Sequence, residues 1–327
     1  MNIGKDKGLE YGPATRDAFG KALAEAGRRK PSLVVLDGDV ANSTRTEYFA
    51  KEFPDRFFNI GIAESNLVGI AAGLAASGKE VVAASFAAFL MCNAFDQLRM
   101  SIAFPRVNVK FVGSHHGINI GQDGPSQMGI EDMALASALP GFTVLCPADA
   151  PSTTKATMAM LDHEGPVYMR VGRPKFPIVY RDDCSFEIGK ANTLRHGDDV
   201  TIIACGLMVA FSLLAADQLA EEGIDAAVLD MHTVKPLDEE AVEAAARSTG
   251  AILTAEEHLL TGGLGAAVAQ AVCKTSPAPV ISVGLDDTYA ASGDPEHLLD
   301  RYNLTPPHIA QAARKAISMK HTAELPK

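Results

Sequence analysis

The chain lacks the cysteine spacing that builds zinc sites and disulfide frameworks. No two of its five cysteines are spaced Cys-x-x-Cys, the number is odd, and the positions lie far apart: Cys92, Cys146, Cys184, Cys205 and Cys273. This usage indicates reduced, packed thiols in a cytoplasmic protein.

Positive charge and long apolar runs are also scarce. With 29 lysines and arginines against 40 acidic residues, the formal net charge is −11, which argues against binding to a nucleic-acid backbone. The most hydrophobic stretch, 81–95, is short and is interrupted by Ser85 and Asn93, so no membrane span is predicted. The first residues carry Lys5 and Lys7 without an apolar core, which predicts no signal peptide.

Apolar strands followed by helices are what the chain has in abundance. Its 327 residues, 47% of them hydrophobic, suit two globular domains. Strands are predicted at 33–36, 80–85, 107–113, 143–146 and 167–170, and in a second series at 200–205, 226–229, 251–254 and 280–283. Helical patterns lie between them, including 14–28, 64–76, 150–161 and 239–246. This alternation predicts an α/β fold with two three-layer α/β/α domains and mostly parallel sheets.

The polar stretch 181–199 separates the two series, which predicts domains at 1–187 and 188–327. Open parallel sheets bind their ligands at the carboxyl ends of the strands. In the first domain the segments at those ends carry polar and aromatic residues, and they are 37–44, 85–89, 113–128 and 170–174. We therefore expect the functional site at this edge of the first sheet.

Six short motifs occur in a fixed order along the chain. They are Ala14-Thr-Arg16, Asp37-Gly-Asp39 with Asn42-Ser-Thr44, Asn59 to Leu67 with Ser85 to Phe89, the glycine-rich loop Gly113 to Met128, Arg170-Val-Gly-Arg-Pro174, and Thr233 to Asp238. Each motif is weak alone, but together and in this order they resemble the transketolase family over nearly the whole chain. The resemblance implies a thiamine-diphosphate pyrimidine-binding domain followed by a transketolase C-terminal-like domain.

One family motif is missing. Gly-Asp-Gly with a downstream Asn, which holds the diphosphate and the metal in an N-terminal domain, does not occur in the sequence. The chain therefore resembles the second of two subunits in a split transketolase. The resemblance implies that an N-terminal partner subunit supplies the ligands for the diphosphate and for Mg²⁺, and that this chain supplies no metal ligand.

Glu64 is a lone acid within an apolar stretch at the start of a predicted helix. From spacing alone, that position favours an ordinary first-turn acid. The resemblance implies instead a catalytic Glu64 that hydrogen-bonds the pyrimidine of the cofactor, because a carboxyl group in apolar surroundings keeps its proton more readily. Phe89 is implied to stack on the pyrimidine with Phe86 close by, although aromatic pairs at this spacing also pack in cores.

The glycine-rich loop is implied to contact the sugar. Its glycines allow tight turns near a ligand. The resemblance gives His115 a catalytic position near the reactive end of the substrate, and it gives Asp123 a sugar hydroxyl. Gln127 stands where many transketolases have a histidine, and its amide can bind a hydroxyl but cannot supply a proton. His116 has no clear family counterpart and is interpreted as structural or solvent-facing.

Phosphorylated sugars require cationic recognition, and the planar fork of arginine suits a phosphate. Arg16, Ser43 and Arg173 match the phosphate-binding residues of the family. Arg16 lies near the start of a helix and Arg173 lies in a loop, so we expect them to converge at the sheet edge. Arg45 and Arg99 are interpreted as structural.

The predicted function is transfer of a two-carbon ketol unit between sugar phosphates, with thiamine diphosphate and Mg²⁺ as cofactors. The chain is predicted to act as one subunit of the enzyme. It is also predicted to self-associate, as a homodimer or as a heterotetramer with its partner. Two alternatives stay open. One is the β-type subunit of another thiamine enzyme, such as a 2-oxoacid dehydrogenase or a deoxyxylulose-phosphate-synthase-like enzyme, and the loop Gln122 to Ser126 argues against it. The other is a non-catalytic homologue, against which the intact Glu64 and Phe89 argue. The sequence does not fix the sugar, which belongs to the pentose-phosphate, branched-chain or sulfonated class.

Overall fold

The computed structural model describes residues 1–323. Its strands are β1 (Tyr11–Ala14), β2 (Leu33–Asp37), β3 (Phe57–Asn59), β4 (Glu80–Phe86), β5 (Val109–Ser114), β6 (Thr143–Leu145), β7 (Val167–Val171), β8 (Lys175–Pro177), β9 (Asn192–Arg195), β10 (Val200–Ala204), β11 (Ala226–Asp230), β12 (Thr233–Lys235), β13 (Ile252–Leu259) and β14 (Val280–Leu285). β1 and β8 form a small antiparallel ribbon, and the other strands belong to two larger sheets.

The helices are α1 (Thr15–Arg29), α2 (Ala41–Thr44), α3 (Glu47–Glu52), α4 (Glu64–Ala76), α5 (Phe95–Gln97), α6 (Asp132–Ala138), α7 (Ala150–Asp162), α8 (Met208–Glu221), α9 (Glu239–Thr249), α10 (Leu264–Lys274), α11 (Pro295–Arg301) and α12 (Pro306–Ala323). Segments Phe89–Asn93 and Leu98–Ala103 are π-helical, and Lys5–Lys7, Pro54–Arg56 and Gly121–Asp123 are 3₁₀ turns. Within residues 1–323, every helix is too short or too polar to span a lipid bilayer.

Within the described residues, the larger sheet has seven strands in the order β12-β6-β7-β5-β4-β2-β3. All neighbours are parallel except β12, which runs antiparallel to β6. Side chains alternate along β2: Leu33 and Val35 pack in the core under α1 and α7, while Val34 and Leu36 pack in the core under α4. Because helices cover both faces, β2 is buried at every residue.

The smaller sheet, in the same described part of the chain, has five strands in the order β14-β13-β10-β11-β9. Its strands are parallel except β9, which is antiparallel to β11. α8 and α12 cover one face, where Phe211 and Ile309 share a core with Ile202. α9 and α10 cover the other face, where Val242 and Val268 share a core with Ile203. The predicted fold class, α/β with two three-layer units and mostly parallel sheets, is confirmed.

β12 joins the second half of the chain to the first sheet. Thr233 pairs with Leu145 and Lys235 pairs with Val144 at the edge of the larger sheet. Next to this pairing, the N–H of Cys146 donates to the carbonyl of His232 at 2.8 Å. The two halves of the chain therefore share one sheet edge as well as a hydrophobic core.

Five short strands, β1, β3, β8, β9 and β12, were not predicted from the sequence, and β13 is longer than predicted. β9 lies inside the polar stretch 181–199, where no strand was predicted; as a half-buried antiparallel edge strand it needs no apolar run. β13 continues five residues past its predicted end at Thr254, because Leu259 pairs with Leu285 and the intervening polar side chains are buried.

Candidate active site

The parallel strands of the larger sheet bring four loops to one edge. β2, β4, β5 and β7 run in the same direction and are neighbours or next neighbours, so their carboxyl ends meet. The four segments in which the sequence predicts function begin at these ends, and they are 37–44, 85–89, 113–128 and 170–174. This edge is the only place in the described chain where all of the predicted site loops come together.

Glu64, the first residue of α4, has a buried carboxyl group at this edge. The side chain is 5% exposed, and the Ser85 hydroxyl at the end of β4 donates to Oε1 at 2.9 Å. A Cβ placed on Gly38 would lie 3.6 Å from Oε1, so the backbone that follows β2 also passes close by. Among the residues that the structure describes, Oε2 has no hydrogen-bond partner. One carboxyl oxygen is therefore fixed and the other is open.

Three rings form a stack beside Glu64. The Phe86 and Phe89 centroids are 5.5 Å apart with an interplanar angle of 18°, and the Phe86 and His115 centroids are 4.0 Å apart at 19°. Phe89 opens the π-helical segment Phe89–Asn93, and such widened turns occur frequently at functional sites. Both phenylalanines are only half-buried, so the stack keeps an exposed aromatic surface.

His115 is buried, and its imidazole is neutral. Burial, followed by the positive charges of Arg16, Arg173 and Arg45, lowers the pKa of His115 to about 3. The Ser114 hydroxyl lies 2.8 Å from Nδ1. A neutral imidazole has one N–H to donate and one nitrogen to accept. The backbone of His115 has a φ of 62°, in the left-handed region that residues other than glycine rarely adopt.

The predicted phosphate-binding residues lie around His115. Arg16 Nη1 donates to the carbonyl of Ser43 at 2.9 Å. Arg173 Nη1 donates to Asp123 Oδ1 at 2.8 Å and to the carbonyl of Ile120 at 3.3 Å. Burial and the charges of two further arginines lower the pKa of Arg16, and Arg173 is one of the two. The two arginines expected to converge thus lie close enough for their charges to interact.

The Ser43 loop is fixed by a buried carboxylate at the end of β2. Asp37 accepts hydrogen bonds from the N–H of Val40 at 2.7 Å, the Thr44 hydroxyl at 2.7 Å and the Thr46 hydroxyl at 2.8 Å. These bonds close the turn that presents Ser43 to Arg16.

Gln127 stands apart from the other predicted site residues. Its side chain accepts a hydrogen bond from the adjacent Ser126 at 2.6 Å, and within residues 1–323 no hydrogen bond or ring contact links it to the rest of the site. His116 is fully enclosed, edge-on to Phe176 with centroids 6.2 Å apart, as its structural interpretation requires. Ser85 and Asp37 were assigned no role of their own from the sequence, although each is a polar residue that follows an apolar run.

Arg45 has a second effect beyond the structural one predicted for it. Its guanidinium forms an ion pair with Asp17 at 2.6 Å, which fixes the turn after α2 against α1. It also contributes to the positive potential at His115.

Comparison with known proteins agrees with this architecture. The family model described as transketolase, pyrimidine binding domain, matches residues 12–178, and the model described as transketolase, C-terminal domain, matches residues 189–309. Together these models cover most of the chain.

Individual relatives are similar along their whole length. A putative transketolase C-terminal section from Methanocaldococcus jannaschii is 41% identical over 90% of this chain and 94% of its own length. A 6-deoxy-6-sulfo-D-fructose transketolase subunit from a Clostridium species is 40% identical over 94% of this chain and 95% of its own length. A solved structure described as a split gene transketolase, inactive β4 tetramer, has a TM-score of 0.89 and 47% identity, covering 94% of this chain and all of its own. The chain belongs to the transketolase family.

Proposed function

We propose that this chain is the C-terminal subunit of a thiamine-diphosphate-dependent transketolase and that it acts with a separate N-terminal subunit. The proposed reaction transfers a two-carbon ketol unit between sugar phosphates. The observation that carries the proposal is Glu64: a buried carboxyl group, fixed at one oxygen by Ser85 and open at the other, beside the stack of Phe86, Phe89 and His115.

Glu64, Phe86 and Phe89 fit the aminopyrimidine end of the cofactor. Because Ser85 occupies Oε1, Oε2 remains available to share a proton with a ring nitrogen. The two phenylalanine rings, nearly parallel and half-buried, offer a face on which a pyrimidine stacks. When bound, thiamine diphosphate supplies the carbon nucleophile that receives the ketol unit.

The arginines and the glycine-rich loop fit a sugar phosphate. Arg16, Arg173 and Ser43 are the proposed phosphate ligands. Arg16 lies in the first turn of α1, Ser43 lies in α2, and Arg173 lies in the loop after β7, at the same sheet edge. Asp123, which contacts Arg173, accepts a hydrogen bond from a sugar hydroxyl in this proposal. Gln127, on the same loop, binds a further hydroxyl.

His115 contributes as a neutral hydrogen-bond donor. In the tautomer in which the Ser114 hydroxyl donates to Nδ1, Nε2 carries the hydrogen and can donate it to an oxygen at the reactive end of the substrate. Because burial, followed by the charges of the nearby arginines, lowers the pKa of His115, His115 does not act through an imidazolium charge. The positive field of the same arginines stabilises negative charge that develops on that oxygen.

An exposed apolar surface supports the need for other chains. Ile62 and Phe104 are 82% and 80% exposed, and Met100 and Phe58 are 47% and 41% exposed. Exposed apolar side chains mark an interaction surface where they lie together in one patch. We propose that it packs on a second copy or on the N-terminal subunit, which would also bring the ligands for the diphosphate and Mg²⁺. The similar split transketolase described as a β4 tetramer supports self-association.

We also propose a division into domains 1–187 and 188–327, which the matched ranges 12–178 and 189–309 support. A cytoplasmic location is supported by the five free cysteines. The relative named for 6-deoxy-6-sulfo-D-fructose supports testing sulfonated sugars beside pentose phosphates and branched-chain sugars.

The test is reconstitution with a partner that carries the missing Gly-Asp-Gly and Asn motif. Calorimetry would titrate thiamine diphosphate and Mg²⁺ into the chain alone and into the complex, and a panel of ketose and aldose phosphates would follow ketol transfer. We expect tight binding and transfer only with the complex. Tight Mg²⁺-dependent binding or transfer by the chain alone would overturn the split-subunit proposal, and a cofactor-loaded complex inactive on every sugar would overturn the transketolase activity.

A further inference from the structure

The glycine-rich loop of the proposed active site rests on a carboxylate from the other half of the chain. Glu257, near the end of β13, is 2% exposed. Its Oε1 accepts the backbone N–H of Asn119 at 2.6 Å, and its Oε2 accepts Asn119 Nδ2 at 2.7 Å. A Cβ placed on Gly117 would lie 2.4 Å from the Glu257 carboxyl carbon, so the loop backbone lies directly against this group.

The second end of the same loop reaches Glu257 through Arg170. The Arg170 guanidinium donates to the backbone carbonyl of Glu257 from Nη1 and Nη2, both at 3.4 Å. It also donates to the carbonyl of Gly129 at 2.8 Å, and it forms a two-pronged ion pair with Asp132 at 2.9 Å for each bond. Gly117 and Gly129 are themselves joined by a backbone hydrogen bond of 2.7 Å. Both ends of the loop therefore converge on one residue of β13.

The loop 113–128 carries the residues that contact the sugar in the proposed function. His115 lies four positions before Asn119, and Asp123 lies four positions after it. Asn119 itself is fully buried and has no access to a ligand. A displacement of Asn119 would move both His115 and Asp123, because the intervening backbone is short.

We propose that Glu257 is a positioning residue that fixes the substrate loop 113–128, and that through it the second half of the chain takes part in substrate binding. The inference rests on the proposed function, since that function makes this loop the substrate-binding element. Glu257 contacts neither the cofactor nor the sugar. It acts by fixing the backbone from which His115 and Asp123 project.

The chain offers a matched control in the preceding residue. Glu256 is also buried, but its carboxylate accepts the backbone N–H groups of Leu264 and Gly265, both at 2.7 Å, at the start of α10 in its own half of the chain. Burial raises the pKa of Glu256 and of Glu257 to about 7 in each case. The variants Glu256→Ala and Glu257→Ala thus remove the same chemical group from similar surroundings, but only the second contacts the loop.

The experiment compares both variants in the reconstituted complex. For Glu257→Ala we expect the amides of 115–124 to exchange hydrogen faster, KM for donor and acceptor sugars to rise about 10- to 100-fold because misplaced contacts cost that much, and the affinity for thiamine diphosphate to stay within about twofold. Glu256→Ala should leave loop exchange and KM unchanged. Glu257→Gln should keep slow exchange and a KM close to that of wild type: its amide oxygen accepts the Asn119 N–H, and after a flip of the Asn119 amide its NH2 group donates to Asn119 Oδ1, which has no partner in the described part of the chain.

Loop exchange equal to wild type in Glu257→Ala, or equal changes in both alanine variants, would overturn the positioning role. So would a loss of cofactor affinity as large as the change in KM, which would indicate general destabilisation. If the wild-type complex transfers no ketol, the proposed function fails, but loop exchange in Glu257→Ala and in Glu257→Gln still decides whether Glu257 fixes this segment.

Discussion

Arg173 and Asp123, which the proposal assigns to the phosphate and to a hydroxyl of one sugar, contact each other: Nη1 of Arg173 lies 2.8 Å from Oδ1 of Asp123. Both side chains are partly exposed, at 39% and 32%. An ion pair of this kind contributes about 0–1 kcal/mol, whereas a charge-assisted hydrogen bond to a phosphate contributes about 1.5–3 kcal/mol. A sugar phosphate can therefore displace the pair at little cost.

Arg173→Ala should raise KM for phosphorylated sugars by about 10- to 100-fold, because it removes a planar, charged phosphate ligand. Steady-state kinetics of the reconstituted complex would measure this, with glycolaldehyde or a free aldose as the non-phosphorylated acceptor, which should be affected much less. Arg181→Ala is the matched control, since Arg181 is 91% exposed and pairs only with Asp183. Equal losses for both classes of acceptor would indicate a structural role for Arg173.

Glu64→Gln should lower kcat of the complex by at least about 10²-fold, the lower range for removing an acid–base group. Glu239 provides the comparison, because it opens α9 as Glu64 opens α4 but is exposed and pairs with Lys274 at 3.4 Å. Glu239→Gln should keep wild-type kcat. If Glu64→Gln retained more than half of the wild-type turnover, Glu64 would be only a helix-terminal acid.

Ile62→Asp combined with Phe104→Asp should reduce self-association or partner binding, because two charges would be buried in an apolar contact. Sedimentation velocity of the isolated chain and of the mixture with its partner would report the change, with circular dichroism to verify folding. Gln311→Asp places a charge on the exposed side of α12 and should leave assembly unchanged. Wild-type assembly in the double variant would exclude this surface as an interface.

Asp230→Asn should stabilise the protein increasingly as pH rises. Tyr180 donates to Oδ2 of Asp230 at 2.8 Å, Oδ1 is a buried oxygen without a partner in the described part of the chain, and burial raises the pKa of Asp230 to about 8. Between an unfolded pKa of about 3.9 and this folded value, the unfolded carboxyl is ionised and the folded one is protonated, so unfolding free energy falls with pH by about 1.4 kcal/mol per unit.

Asparagine does not titrate, so denaturant unfolding of both proteins should give the variant an additional advantage of about 2 kcal/mol at about pH 7.5 relative to about pH 6. A stability difference that stays constant with pH would contradict the raised pKa of Asp230.

Local patterns were sufficient to predict the buried strands and several of the longer helices, but α2, α3, α11 and the 18-residue α12 were not predicted. α4 begins at Glu64 and ends at Ala76 as predicted, because an alanine-rich apolar run with an acid in its first turn is helical wherever it packs. β9 and β12 were not predictable in this way. Both are short edge strands whose pairing partners are distant in sequence, so neighbouring residues carry no signal for them.

The same distinction applies to the candidate site. Glu64, Phe89, His115 and Arg173 were proposed from motifs, and the fold brings their loops to one edge. Glu257 was not proposed, because its effect depends on a contact with Asn119, which is 138 residues away. Two consecutive glutamates usually indicate solvent exposure, and only the packing of the two halves reveals that both carboxylates are buried.

The pairing of β12 with β6 also determines when, during synthesis, the larger sheet can be completed. The sheet that holds Glu64 and His115 acquires its last strand only after the ribosome has translated Lys235 of the 327 residues. Until then the edge of β6 presents unpaired backbone groups, which are a template for aggregation. The sheet that carries the site therefore lacks its edge strand until the second half of the chain supplies it.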